Sequence, residues 1–441
     1  MKRLILLLFL SPFLSYAQKN YPVLLDNYVQ AHMTAKGFTG TVLVMQHDKV
    51  LLKKAYGMAD REWNIPNTID TKFRIGSLTK QFTATGILQL VEQGKLHLDD
   101  KLSHFFQDFP NGDSVTLHML LSHTSGIVNY TDIPGFNKLA TLSWPKDSMI
   151  AVFKNIPYNF SPGKRFLYSN SGYFLLGCII EKVSGESYDH YMRTHVFDQL
   201  GMSNSGVDRL DTLLPKRARG YSRVNRKYIN AEFISLDWPF SAGAVYSNVD
   251  DLYKWDRALY NNSVLTSTSK QKMFTPGKGK YGYGVSIDSL ENHYRIWHNG
   301  GIPGFISNLS RYINDDVCII VLSNDGYNAD QVSNGLASIL FDLPYETPYV
   351  HKEIKLSPEL LDRYVGKYNA FLTLEVIKKN GKLYRHRDGT PDIELKAESE
   401  SKLYYDDDSD RLLEFEFDSS GQITKIWFHN NGQRGEMKKV K

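Results

Sequence analysis

The feature that most constrains the fold is a change of texture about four-fifths of the way along the chain. Residues 343–357 (LPYETPYVHKEIKLS) contain Pro344 and Pro348 and read as a linker. Beyond them the segments YVGKYN, LTLEVIKKNGKLYRHR, IELKAE, KLYYDD and LLEFEFDSSGQITKIWFHNNG alternate apolar and polar side chains between Asn-Gly and Ser-Gly turns. That period belongs to half-buried strands joined as hairpins. Residues 358–441 are therefore expected to form a separate small all-β domain, a barrel or a sandwich. The rest of the 441-residue chain is long enough for one large domain with its own core, and the apolar share of 42% can fill it.

Ahead of the linker the pattern is mixed, which places residues 18–342 in an α/β (α+β) class. Residues 19–36 read as an amphipathic helix. GFTGTVLVMQHDKVLLKKAYG reads as a hairpin turning at His47-Asp48, and FRIGSLTKQFTATGILQLVEQGKL as an extended entry into a long helix ending near Gly94. A largely helical insertion covers residues 99–240, with a second long helix from about Gly172. GYGVSI, YRIWHN, GFISNLSRYI and VCIIVLSN read as four late strands, followed by the helix DQVSNGLASILFDL. An antiparallel sheet begun by the first hairpin and completed late, with helices flanking it, is the expected result.

The first residues, MKRLILLLFLSPFLSYAQ, have a basic start, a short apolar run and the small-x-small sequence Ser15-Tyr16-Ala17. They read as a secretory signal of residues 1–17, with a periplasmic or secreted destination and no stable membrane span after cleavage. The net charge of +4 has no long basic run behind it, so nucleic acid is not an expected partner. Cys178 and Cys318 each sit in an apolar run, as two buried small hydrophobes or as one disulfide. No C-x-x-C, H-E-x-x-H or G-x-S-x-G pattern occurs, so zinc and α/β-hydrolase chemistry lack their usual marks. Asp406-Asp407-Asp408 reads as a solvated acidic turn in preference to a calcium site. His118 and His123 read as structural.

The chemistry centres on Ser77-Leu-Thr-Lys80. A serine hydroxyl needs a base, and a lysine three residues on shares its helical face. Burial lowers the pKa of such a lysine and lets it accept the proton. The pattern alone is weak: S-x-x-K also begins at Ser143, Ser161, Ser267, Ser269 and Ser399. Only Ser77 follows a glycine and an apolar entry and opens a long amphipathic helix. Tyr168-Ser-Asn170 supplies a hydroxyl that can shuttle a proton if a cation lowers its pKa, with an amide beside it. Tyr246-Ser-Asn248 is an identical tripeptide, and the motif alone does not choose between them. His298-Asn-Gly300 is the only His-x-Gly in the chain and precedes Gly301 on a strand edge.

In order and placement these three elements resemble the serine β-lactamase and penicillin-binding superfamily. LLSHTSGI (120–127) and SAGAVYSNVDDLYKW (241–255) extend the resemblance over about residues 20–340, and the second accounts for Tyr246 as part of a separate segment. The nearest look-alikes are class C β-lactamases, D-alanyl-D-alanine carboxypeptidases, D-aminopeptidases and esterases of the same fold. The resemblance implies Ser77 as nucleophile, Lys80 as its base or proton partner and Tyr168 as general acid and base. It implies Asn170 as a substrate-amide contact, His298 and Gly300 in the Lys-Thr-Gly position, and Gly301 as an oxyanion donor with Ser77. It implies no cofactor and no metal. His298 departs from the permanent cation of that motif and is expected to titrate near neutral pH. The expected function is hydrolysis of an ester or a D-amino-acid peptide bond, on small-molecule or peptide substrates that include cell-wall fragments. β-Lactamase activity, a non-catalytic penicillin or cell-wall sensor, and a carbohydrate- or lipid-binding role led by the β domain are the alternatives.

Overall fold

The computed structural model describes residues 19–441 except 225, 371–372, 408, 410, 431–432 and 441. The expected export signal lies outside the described residues. Helix α1 (Tyr21–Lys36) is capped by the Asn20 side chain, carries Pro22 in its first turn and ends at Gly37 with φ 78°. Strands β1 (Gly40–Gln46) and β2 (Lys49–Tyr56) form the expected hairpin. His47 and Asp48 both take positive φ (49° and 56°), which a two-residue turn of this twist requires. Helices α2 (Thr79–Glu92) and α3 (Asn170–Ser184) follow, the second ending at left-handed Gly185.

The sheet is completed by β3 (Ser286–Leu290), β4 (His293–Ile302), β5 (Phe305–Tyr312) and β6 (Val317–Ser323), in the spatial order β3-β4-β5-β6-β1-β2, and every pairing is antiparallel. The first of these strands is displaced from its expected place. Gly282 to Val285 form a turn closed by the Gly282 N–H on the Val285 carbonyl, and the strand starts at Ser286.

Successive side chains of a strand point to opposite faces, so a run apolar at every position must be covered on both. Val42, Val44, Val317, Ile319 and Val321 pack with Leu25 and Val29 of α1 and Val332 and Leu336 of helix α4 (Ala329–Leu340). Leu43, Met45, Cys318, Ile320 and Leu322 join the larger core that contains α2, α3 and the insertion. Cys178 and Cys318 are both buried and free, which settles the two readings of the cysteines.

The C-terminal part is a closed antiparallel barrel of eight strands: β7 (Gly366–Asn369), β8 (Thr373–Lys379), β9 (Lys382–His386), β10 (Ile393–Ser399), β11 (Lys402–Tyr405), β12 (Leu412–Phe417), β13 (Ile423–Asn430) and β14 (Gln433–Lys439). Closure through Tyr368–Lys439 and Asn369–Lys438 removes the exposed edges an open sheet would leave. Helix α5 (Pro358–Tyr364) plugs one end, where buried Tyr364 packs on Phe415 and its carbonyl accepts from the Tyr368 hydroxyl. Of the acidic turn at the other end, Asp408 lies outside the described residues and the other two carboxylates are tied to cations. Asp406 pairs with Arg226 and Lys396, and Asp407 with Arg411.

Candidate active site

Ser77 sits in a tight helical turn (Gly76–Leu78) that runs directly into α2. The turn is pressed against β4. A Cβ on Gly76, whose φ is +52°, would lie 2.7 Å from the Gly301 nitrogen, and one on Gly300 would lie 1.9 Å from the Ile75 carbonyl oxygen. Ser307 Oγ on β5 donates to that same carbonyl at 2.7 Å. Only glycine fits at positions 76 and 300, which brings Ser77 beside Gly301. The last pair between β3 and β4 is Ser286–Trp297, so His298 to Ile302 run past the end of β3 while still paired with β5.

Lys80, one turn beyond Ser77 and the second residue of α2, is fully buried. Its Nζ lies 3.0 Å from Ser77 Oγ, 2.8 Å from Asn170 Oδ1 and 2.8 Å from the Ala242 carbonyl oxygen. Burial holds its pKa well below the ordinary lysine value. A neutral amine has two N–H bonds and one lone pair. The Asn170 and Ala242 oxygens can only accept, so they take the two N–H groups and leave the lone pair for the Ser77 hydroxyl. The arrangement can therefore deprotonate Ser77.

The Tyr168 hydroxyl donates to Ser77 Oγ at 2.9 Å from the opposite side, and Lys80 Nζ is 4.8 Å from its ring centre. The condition that a cation lower the Tyr168 pKa is not fulfilled. Burial outweighs the bond to Ser77 and raises it, so the residue is held as a phenol that can give a proton. The rival tripeptide has other work: Tyr246 pairs with Arg74 and Gly206 in a small sheet, and Asn248 caps a helix by accepting from the Asp251 N–H.

His298 does not touch Ser77. Its Nε2 meets the Tyr281 hydroxyl at 2.9 Å, its Nδ1 meets the Asn299 carbonyl oxygen at 2.5 Å, and its ring centre is 6.2 Å from that of Tyr168. Burial, followed by the nearby Lys80, pushes its pKa down to about 3. The expected titration near neutral pH is thus corrected: the side chain is a neutral imidazole at pH 7 because water does not reach it.

Several residues of the site lie outside the three motifs. Ala242, whose carbonyl holds Lys80, and Ser241, whose carbonyl accepts from Thr83 Oγ1 at 2.6 Å, belong to the 241–255 segment. His123 and Asn129 hold the second motif. His123 Nδ1 accepts from the Ser169 N–H at 3.1 Å, and Asn129 Oδ1 accepts from the Asn170 N–H at 3.0 Å. The His123 ring lies 4.3 Å from Tyr168 and 4.7 Å from Tyr281, and its pKa is depressed by burial and by Lys80 and His298. His118 is further off, bonded to the Tyr283 hydroxyl at 2.7 Å.

Ser77, Asn170 and Gly301 open onto a cleft of about 260 Å³. Its walls are largely apolar and aromatic, including Tyr130, Phe136, Phe233, Trp238 and Ile302. Glu232 is the single charged residue among them, with no lysine or arginine in the lining.

The beta-lactamase family profile matches residues 25–340, the part that carries this constellation. The putative penicillin-binding protein PbpX of Bacillus subtilis is 35% identical over 309 residues, covering 69% of this chain and 75% of that protein. The octameric penicillin-binding protein homologue from Pyrococcus abyssi superposes with a TM-score of 0.69 at 25% identity, covering 94% of this chain and 99% of the other. The D-amino acid amidase from Ochrobactrum anthropi SV3 superposes with a TM-score of 0.62 at 26% identity, over 72% and 97% of the two chains. With its profile matched over most of its length, the chain belongs to the beta-lactamase family.

Proposed function

We propose that the protein is a serine hydrolase that passes an acyl group to Ser77 and then to water, acting on an ester or a D-amino-acid peptide or amide bond. The observation that carries the reading is the position of Ser77 Oγ between a buried amine at 3.0 Å and a phenol at 2.9 Å. Neutral Lys80 takes the hydroxyl proton as Oγ bonds to the substrate carbonyl carbon. The carbonyl electron pair moves to oxygen, beside the N–H groups of Ser77 and Gly301. Preorganised donors of that kind lower such a barrier by about 3 kcal/mol each. Collapse of the adduct breaks the bond to the alkoxide or amine, which takes the Tyr168 proton, and Tyr168 recovers one from the Lys80 ammonium. Water repeats the sequence on the acyl group, and Ser77 leaves with the proton it began with.

The cleft favours this substrate class. A β-lactam, or a peptide cleaved at its last residue, carries a carboxylate near the scissile bond, which a cation receives best. His298 is held neutral, and the cleft lining offers Glu232 in place of a cation. The likeness to a D-amino acid amidase points the same way. The test is a rate panel of short p-nitrophenyl esters, a D-amino-acid anilide, a D-Ala-D-Ala peptide and a chromogenic cephalosporin, with a fluorescent phosphonate as covalent label. The ester and the anilide should turn over fastest, and S77A should abolish both turnover and labelling. Equal labelling of S77A, or fastest turnover of the cephalosporin, overturns the reading.

A further inference from the structure

The barrel holds a cavity of its own. Helix α5 fills one end, but the opposite end, where β9 ends at His386 and β11 at Tyr405, leaves about 570 Å³ open. That is the size of a small-molecule pocket. An eight-stranded barrel is just wide enough either to fill its interior with side chains or to hold one small ligand.

Strand register shows which side chains enter this space. Arg385 is paired with Val376, which is fully buried in the barrel core, so Arg385 shares its inward face. Arg411 is two residues before inward-facing Leu413, and its guanidinium lies 4.4 Å from the ring centre of buried Tyr405. Two arginines thus enter a lumen whose inner wall is Leu374, Phe428 and Met437. Both bear electrostatically on the Tyr405 phenol.

Among the described residues, the carboxylates at this mouth are already engaged. Glu375 pairs with Lys367, Asp388 with His386, and Asp407 with Arg411. Arg385 has no carboxylate partner among the described residues. Its one hydrogen bond runs from Nη1 to Thr390 Oγ1 at 3.1 Å, and its Nε is buried without a partner. An unpaired buried guanidinium donor is costly, and a bound anion would remove the cost.

We propose that the open end of the barrel is a binding site for a small amphipathic carboxylate. The head group sits between Arg385, Arg411 and Tyr405, and the apolar tail lies along Leu374, Phe428 and Met437. The mouth borders the catalytic part of the chain, because Asp406 and Ser409 on its rim bond to Arg226 and Lys36. The site is independent of the chemistry at Ser77.

The test is calorimetric titration of the full chain with dodecanoate, and with dodecan-1-ol as the uncharged chain of equal length. Dodecanoate should bind at one site. The alcohol, and the variant R385M titrated with dodecanoate, should each bind roughly tenfold more weakly or worse. R385K, which keeps the charge, should stay within a few-fold of wild type. Cooperative unfolding curves showing the free R385M and R385K proteins to be no less stable than wild type establish that the barrel is intact. No binding of dodecanoate up to about 1 mM overturns the proposal, since two arginines and an apolar wall should hold it more tightly than that. Equal affinity for acid and alcohol, or unchanged affinity in R385M, also overturns it. Each of those outcomes would place the ligand elsewhere, the Ser77 cleft included.

Discussion

Replacing His298 by glutamine isolates the proton that this imidazole does not take up when folded. Its pKa falls from an ordinary value of about 6.5 to about 3 because burial, and Lys80 behind it, disfavour the charged ring. Because the folded value lies below the unfolded one, the unfolded chain binds more protons between the two. Stability is then full above pH ~6.5 and is lost as pH falls towards ~3. For one such group the linkage relation gives a loss of about 2.5 kcal/mol between pH ~7.5 and pH ~4.5. H298Q lacks that term but keeps every other histidine and carboxylate. The difference in unfolding free energy between the two proteins should therefore shrink by about 2.5 kcal/mol on acidification, whatever constant offset the substitution adds. Urea unfolding followed by tryptophan fluorescence measures it. Five of the six tryptophans precede the barrel, so the signal reports the part of the chain that holds His298. A difference that stays constant to within about 0.5 kcal/mol over that range would falsify the buried neutral imidazole, and with it the argument against a carboxylate-reading cation at this position.

Tyr168→Phe removes the phenol 2.9 Å from Ser77 and little else. It should lower kcat by about 10²–10⁴ while KM moves a few-fold, and a raised KM with unchanged kcat would show that Tyr168 only binds substrate. Lys80→Met deletes a buried amine whose desolvation is not repaid by any carboxylate. Hydrolysis should vanish, yet the unfolding free energy at neutral pH should stay within about 1 kcal/mol of wild type or exceed it. In wild type, stability should also rise with pH between the depressed Lys80 pKa and its ordinary value of 10.5, a slope that K80M lacks. A parallel slope in both proteins refutes the neutral amine. Gly300→Ala and Gly301→Ala form a matched pair. The first puts a methyl 1.9 Å from the Ile75 carbonyl oxygen and should cost about 1–3 kcal/mol and displace the Ser77 turn. The second meets nothing nearer than Ile306 Cδ1 at 3.4 Å and should fold normally. Equal melting temperatures for the two variants would contradict the close approach of the turn to β4.

What could be read from the sequence divides along a physical line. Features set by local chemistry were legible. Asn20, Pro22 and Gly37 bound the first helix, His47-Asp48 turns the hairpin, and the alternation after residue 357 announces strands. The choice between barrel and sandwich was not legible, because it rests on Tyr368 and Asn369 meeting Lys439 and Lys438 some 70 residues away. Alternation specifies a face and not a partner. The displaced start of β3 has the same origin: Gly282 and Gly284 suit a strand pattern on paper, but the turn they form follows Tyr281, which is held against His298.

The site shows the same division more sharply. Ser77 and Lys80 are three residues apart on one helical face, so their contact follows from sequence. The charge states around them do not, because burial decides them and burial is a property of the whole domain. A histidine met in isolation titrates near neutrality. This one lies beneath Tyr281 and close to the Lys80 charge, and so stays neutral. His123 makes the converse point. It reads as a structural histidine, and it is one in the sense that it carries no charge. Its Nδ1 nevertheless fixes the Ser169 N–H and its ring supports Tyr168, so the hydroxyl that faces Ser77 is aimed by a residue 45 positions upstream of it. Structural and functional are therefore not opposed labels here. The chemistry at Ser77 depends on groups whose function is to exclude water and hold their neighbours neutral.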